Sequence, residues 1–192
     1  MKKVIGIGLV VLVGMLVVGT VAVWAAPRSG RGGVNARQST GGGPAVANPV
    51  APVAIDNLTP GDLSESEAEA LQMALDDEYR AWAVYEQVIA DFGAVRPFTS
   101  IQKAEENHIA ALVTLFERYG LEVPANEWAG SIAPFATLAE ACEAGVQAEV
   151  DNAGLYAQMF EMVDNPDIIQ VFTSLQTASQ TKHLPAFERC AP

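Results

Sequence analysis

The chain contains only two histidines, and each falls on an apolar helical pattern where its side chain would face a protein core. His108 follows Glu105 by three residues, so both side chains lie on one face of a helix, one turn apart. His183 follows Gln180 at the same spacing. Imidazole nitrogens and carboxylate oxygens are common ligands of transition metals. Each pair is therefore a candidate part of a metal site.

Two further glutamates, Glu78 and Glu149, are each the only charged residue on the apolar stripe of the helix before a histidine pair. A carboxylate in an apolar core costs several kcal/mol unless it is protonated, paired or bound to a metal. One metal site shared with Glu105, His108 and His183 would account for all five residues. Two simpler interpretations stay open: the glutamates lie on the surface, or Glu105 and His108 form a plain buried ion pair.

Repeated spacings connect these positions. Glu78 precedes Tyr85 by seven residues, and Glu149 precedes Tyr156 by seven. Internal similarity of this kind indicates that two related helical hairpins form the folded part of the chain. The two tyrosines would either pack in the core or donate hydrogen bonds to metal ligands.

A second repeat links FTSIQ at 98–102 with FTSLQ at 172–176, each shortly before the histidine of its pair. This repeat is imperfect, because the first segment begins ten residues before its histidine and the second begins eleven before. Matching the hairpins through their histidines places Gln180 opposite Glu105.

Helix start and stop signals predict four helices and no strand. Two capping boxes, a proline and an Asn-Pro pair mark the starts. The predicted helices cover about 64–92, 97–119, 137–163 and 165 onward. Between the second and third, residues 121–135 have prolines and a glycine but no helical period, which indicates a long crossover. The predicted fold is therefore an all-α antiparallel four-helix bundle.

The pattern of one Glu on a helix and Glu-x-x-His on the next, given twice, resembles the ligand pattern of ferritin-like di-iron carboxylate proteins. Through EENH (105–108), LFERYGL (115–121) and HLPAF (183–187), the chain is similar to a ferritin-like microbial domain family of unknown function. The resemblance covers about residues 63–190. The metal ligands that it implies are Glu78, Glu105, His108, Glu149, His183 and, in place of the second bridging carboxylate, Gln180.

This resemblance implies a dinuclear iron or manganese cofactor. O₂ or peroxide would be its partners in an oxidase-like or peroxidase-like role, and metal handling is the other role implied. Ferritins are similar in having a Gln near one of their two iron positions, so Gln180 is expected to weaken that position without abolishing it. The alternative is an exported structural or interaction bundle with a degenerate metal site, which Gln180 favours.

Two segments precede the predicted bundle, which covers residues 61–192. Residues 1–26 begin with two lysines before an uncharged apolar run, which is typical of a signal peptide and also long enough for a retained membrane anchor. Residues 27–60 are rich in Gly, Ala and Pro, which predicts a flexible tether. We therefore expect a secreted, periplasmic or cell-surface anchored protein.

Acidic residues dominate the exported part. Without Lys2 and Lys3, the 11 basic residues become 9 against 23 acidic residues, a net charge of −14. Nucleic acid and anionic lipid are poor partners for such a surface. We expect no nucleic-acid binding, and a membrane contact only through the predicted anchor.

The chain has two cysteines, Cys142 and Cys190, which predict one disulfide in an oxidising compartment. Cys142 lies seven residues before Glu149, and Cys190 lies seven after His183. Each offset is about 10.5 Å along a helix and returns to nearly the same face. Because the third and fourth helices are predicted to be antiparallel, both offsets lead in the same direction. The cysteines should therefore meet if the two ligands share a site.

Overall fold

The computed structural model describes Thr59 and residues 61–191. The predicted signal or anchor (1–26) lies outside the described residues, as does the predicted tether (27–60) apart from Thr59, so both stay predictions. Within the described part, all regular secondary structure is helical, which confirms the all-α prediction. No helix there combines the length and the hydropathy needed to cross a bilayer.

The fourth predicted helix is interrupted. A π-helical turn divides it into a longer and a shorter α-helix. The elements of the described part are α1 Glu65–Phe92, α2 Phe98–Arg118, α3 Leu138–Phe160, α4 Pro166–Ala178, the π-helical turn Ser179–His183 and α5 Leu184–Glu188. Both predicted capping boxes are present, Ser64 with Glu67 before α1 and Thr137 with Glu140 before α3.

The helices form two hairpins. α1 packs chiefly on α2, whereas α3 packs on α4, the π-helical turn and α5. The connection between α2 and α3 follows the surface of α1: Trp128 Nε1 donates to Asp76 Oδ1 at 2.8 Å, and Phe135 N donates to Asp91 Oδ2 at 2.8 Å. Asp91 lies about four turns beyond Asp76. The connection therefore runs lengthwise, and α3 begins beside the end of α1.

Apolar side chains fill the bundle in two clusters at different heights. The Leu71 cluster comprises Ala70, Leu71, Ala74, Leu75, Leu112, Leu115, Phe116, Tyr156, Met159, Val163, Ile168, Val171, Phe172 and Leu175. The Phe98 cluster comprises Tyr85, Val88, Phe98, Ile101, Ala141, Cys142 and Phe187. Along every helix, the predicted metal ligands lie between the two clusters, so apolar packing separates them from both ends of the bundle.

Different chemistry closes the two ends. Beside the Leu71 cluster, Glu67 Oε1 accepts hydrogen bonds from the backbone N–H groups of Asp164 at 3.0 Å and Asn165 at 2.8 Å, which joins α1 to the start of α4. Beside the Phe98 cluster, Cys142 in α3 is bonded to Cys190 after α5, with their Cα atoms 5.5 Å apart. The predicted disulfide is therefore confirmed.

Candidate metal centre

α1 and α2 bring the first three predicted ligands together in the core. His108 Nδ1 lies 2.7 Å from Glu105 Oε2 and 3.2 Å from Glu78 Oε2. Glu105 and His108 meet because they lie one turn apart on the buried face of α2. All three side chains are buried, so neither glutamate is the surface residue that one simpler interpretation required.

The second hairpin adds two more ligands to the same place. His183 Nδ1 lies 3.2 Å from Glu105 Oε1 and 3.5 Å from Glu149 Oε1, and both residues of the second hairpin are buried. Glu105 thus turns one carboxylate oxygen toward each histidine. The rings of His108 and His183 are stacked with their centroids 5.5 Å apart. Two groups of potential ligands, sharing Glu105, therefore lie side by side.

The spacing of these donor atoms suits metal coordination. Two ligand atoms about 2.0–2.2 Å from one ion, at a right angle, are about 3 Å apart. The separations from each histidine Nδ1 to its carboxylate oxygens are 2.7–3.5 Å. A donor set of carboxylates and imidazoles, without thiolate, suits a divalent metal ion. The two groups of side chains that share Glu105 could therefore hold a metal ion.

The prediction that Gln180 is one of the metal ligands is wrong. Gln180 is exposed, and the buried Ser179 faces the glutamates instead. The hydroxyl of Ser179 donates to Glu149 Oε2 at 2.5 Å. The physical reason is the π-helical turn, which contains both residues and has more residues per turn than an α-helix. Counting back from His183 with α-helical spacing therefore gives the wrong residue.

The sequence did contain a signal for Ser179. Phe98 lies seven residues before Glu105, and Phe172 lies seven residues before Ser179. Matching the hairpins through these phenylalanines, rather than through the histidines, pairs Ser179 with Glu105. The extra residue of the second hairpin then falls between Ser179 and His183, which is where the structure has the π-helical turn.

Two buried tyrosines connect the hairpins through the glutamates. Tyr85 Oη of the first hairpin donates to Glu149 Oε1 of the second at 2.8 Å. Tyr156 Oη of the second hairpin donates to Glu78 Oε1 of the first at 3.0 Å. Burial and the neighbouring carboxylates raise the pKa of both phenols well above the usual value, so both stay protonated donors. The tyrosines thus pack in the core and also orient the two glutamates.

The buried carboxylates and imidazoles shift one another's pKa. Burial raises the pKa of Glu78 to about 8, with His108 opposing the shift and Glu105 adding to it. Burial would raise the pKa of Glu105 too, but His183 and His108 hold it well below its usual range. Burial would lower the pKa of His183, yet Glu105 and Glu149 raise it to about 10. A divalent cation that replaced these protons would release them to solvent.

A small cavity adjoins the ligands. The space in which the centre of a water molecule would fit is about 20 Å³. This is room for about one or two water molecules. Its lining from α2 and the π-helical turn is buried, whereas its half-buried lining residues all come from α1 and α3. These half-buried residues are Arg80, Ala81, Val84, Ala148 and Asn152. The cavity therefore opens toward solvent between α1 and α3.

Comparison with known proteins supports the fold. No family model matches the chain, and no curated protein shows a significant match. Among solved structures, hypothetical protein MJ0754 from Methanococcus jannaschii DSM 2661 is similar, with a TM-score of 0.62 and 22% sequence identity. The match covers 69% of this chain and 83% of that chain. At this identity, the likeness shows the fold alone.

Proposed function

We propose that this chain is a ferritin-like protein that binds two iron or manganese ions in the middle of its bundle and uses them in redox chemistry or metal handling. The observation that carries the proposal is the position of Glu105, whose two oxygens lie 2.7 Å and 3.2 Å from the Nδ1 atoms of different histidines. A carboxylate in this position can bridge two ions. Each ion would then also have one histidine and one further glutamate.

The arrangement of the helices supports the ferritin-like part of the proposal. The long connection along α1 brings the start of α3 to the end of the bundle where α2 also starts. Bundles with one long crossover of this kind include the ferritin-like folds, which build metal sites from facing helices. The disulfide supports an exported location, because such bonds persist in oxidising compartments.

Two bound ions would supply redox chemistry and open coordination positions for O₂ or peroxide. The protein's own contribution is to hold the ligands still. Tyr156 orients Glu78, while Tyr85 and Ser179 each hold one oxygen of Glu149. The Leu71 and Phe98 clusters exclude bulk water above and below the site. Such support keeps ligand atoms close to productive positions before an ion arrives.

A structural bundle without metal is the second candidate, and Ser179 is the observation that favours it. A hydroxyl stands where the ferritin-like pattern has a second bridging carboxylate. The existing hydrogen bonds already give Glu78 and Glu149 protein partners. In this interpretation, the buried groups form a protonated network that fixes the register of the two hairpins.

Metal analysis of the purified chain distinguishes the two candidates. The protein is produced with added iron or manganese, and metal content is measured by mass spectrometry. We expect about two ions per chain in the wild type and a near-complete loss in Glu105→Gln, which keeps the side-chain shape. Glu106→Gln is the matched control, because Glu106 is exposed on the same helix. Equal metal content in both variants, or none in the wild type, would overturn the proposal.

A further inference from the structure

Three polar residues lie where the cavity opens between α1 and α3. Arg80 Nη2 is 2.6 Å from Asp77 Oδ1, and Asn152 Nδ2 donates to Asp77 Oδ2 at 2.8 Å. Asp77 and Arg80 belong to α1, and Asn152 belongs to α3. All three line the cavity that also contacts the predicted metal ligands. Each oxygen of the Asp77 carboxylate is thus held by one contact, from Arg80 on α1 and from Asn152 on α3.

The oxygen atoms at this opening are suited to a divalent cation. Asp77 is buried, with 8% of its surface exposed, and its carboxylate adjoins that of Glu78 in the sequence. Asn152 Oδ1 is buried and has no hydrogen-bond partner within the described part of the chain. Carboxylate and amide oxygens bind hard divalent cations. An ion held there would lie at the same cavity as Glu78, the first ligand of the metal centre.

Charge and size restrict passage through the opening. The guanidinium of Arg80 occupies one side of Asp77, and 37% of its side-chain surface is exposed, so it can move toward solvent. Ala81 and Ala148, which have small apolar side chains, also line the cavity. A neutral molecule gains no charge–charge attraction from Asp77, whereas a cation is attracted to the carboxylate once Arg80 moves aside.

We propose that Asp77 and Asn152 form a transient site where divalent cations bind on their way to the metal centre, and that Arg80 closes this site in the resting protein. The inference rests on the proposed function, which supplies the destination. Arg80 leaves Asp77 when a cation arrives, and the ion then moves to the oxygens of Glu78 and Glu105. Asp77 and Asn152 determine the rate of uptake, and the metal centre determines how much metal is finally bound.

Stopped-flow measurement of Co²⁺ uptake by the full chain tests the assignment, because the visible absorption of Co²⁺ changes when protein ligands replace its bound water. Asp77→Asn should slow uptake about tenfold, and Arg80→Gln should accelerate it several-fold, within the range of electrostatic effects on association rates. Final stoichiometry should not change in either variant. Glu86→Gln and Lys103→Gln are the controls, since they remove the same charges from exposed positions on α1 and α2.

A steric variant makes the test independent of charge and of the Asp77 contacts. Ala148→Leu narrows the passage and should slow uptake without changing the amount bound, whereas Ala157→Leu, at an exposed position on the same helix, should not. If Asp77→Asn, Arg80→Gln and Ala148→Leu all took up Co²⁺ at the rates of their controls, the inference would be overturned. The proposed metal centre would be unaffected by that result. If the wild type takes up no Co²⁺, both the proposed function and this inference fail.

Discussion

The two hairpins present similar side chains to the site through different backbones. In the first, Glu105 and His108 lie three residues apart in a regular α-helix. In the second, Ser179 and His183 lie four residues apart, and a π-helical turn keeps both buried. The turn absorbs one extra residue and leaves Gln180 exposed. A residue's counterpart in the other hairpin is therefore identified by its inward position in the helix. The number of residues that separate it from the histidine does not identify it.

The hairpins also differ in the core contacts beyond the site. Leu71 and Leu115 of the first hairpin correspond to Cys142 and Cys190 of the second, by the spacings that separate the paired glutamates and the paired histidines. The leucines belong to the Leu71 cluster. The cysteines are joined by a covalent bond at the other end of the bundle. One hairpin therefore relies on apolar packing where the other relies on a disulfide.

The largest predicted effect is a difference in stability between two variants that each lack a single residue. Deleting Gln180 should convert the π-helical turn to α-helix and leave all other residues in register, so the free energy of unfolding should change by only about 1 kcal/mol. Deleting Thr173, an exposed residue in the regular part of α4, should rotate the following residues by about 100° and prevent stable folding. Thermal unfolding followed by circular dichroism measures both. Equal damage from the two deletions would contradict the role of the π-helical turn.

Removal of the disulfide should have the next largest effect. The cysteines are separated by 48 residues, so a Cys142→Ala and Cys190→Ala double variant should lose about 3–4 kcal/mol of unfolding free energy. Chemical reduction of the wild type should give a similar loss, measured by urea unfolding. A loss below about 1 kcal/mol would mean that packing alone holds α5 on α3.

A smaller effect is expected at two matched core positions, where the two hairpins have side chains of different size. The first hairpin has Ala74 and Leu112 at the positions where the second has Gly145 and Phe187. A Cβ atom on Gly145 would lie 2.6 Å from the Phe187 ring, so Gly145→Ala should cost about 1–3 kcal/mol. Adding Phe187→Leu, which copies the first hairpin, should recover part of this loss in urea unfolding.

The control for that pair is another glycine of α3. Gly154 has open space around its Cα, so Gly154→Ala should stabilise the helix by about 0.5–1 kcal/mol. If Gly145→Ala behaved like Gly154→Ala, the volume argument would be wrong. If Phe187→Leu failed to help, the two hairpins would not be matched as described.

The last predicted effect concerns metal affinity rather than stability. Ser179→Glu should give the second hairpin the carboxylate that the first has in Glu105, and should strengthen binding of the weaker ion about tenfold, since one more charged ligand is worth about 1.4 kcal/mol or more. Gln180→Glu should not change affinity, because position 180 is exposed. Calorimetric titration with Mn²⁺ compares them. A stronger effect at position 180 than at 179 would contradict the inward placement of Ser179.

Helical periodicity was sufficient to bring five of the candidate ligands together. Glu78, Glu105 and Glu149 lie within regular α-helices, where alternating steps of three and four residues follow the buried face. The disulfide was also predicted correctly. The step from Cys142 to Glu149 lies within α3, and the step from His183 to Cys190 begins after the extra residue of the π-helical turn. Ser179 was missed because the calculation crossed that turn.

The cavity opening could not be predicted in the same way. In the sequence, Asp77 and Arg80 lie off the apolar stripe of α1, and nothing in their spacing indicates that Asn152 of α3 contacts Asp77. The contact depends on how closely α1 and α3 approach, which is set by packing of the whole bundle. Periodicity determines which face of a helix is buried, but not where two helices leave a gap.

Crystals of the chain grown with Mn²⁺, with anomalous diffraction measured near the manganese absorption edge, would locate ions bound in the core. We expect two anomalous peaks on opposite sides of the Glu105 carboxylate, one beside His108 Nδ1 and the other beside His183 Nδ1. A single ion, ions bound only at the surface, or a metal-free core that retains the carboxylate–imidazole contacts in the presence of excess Mn²⁺ would contradict it.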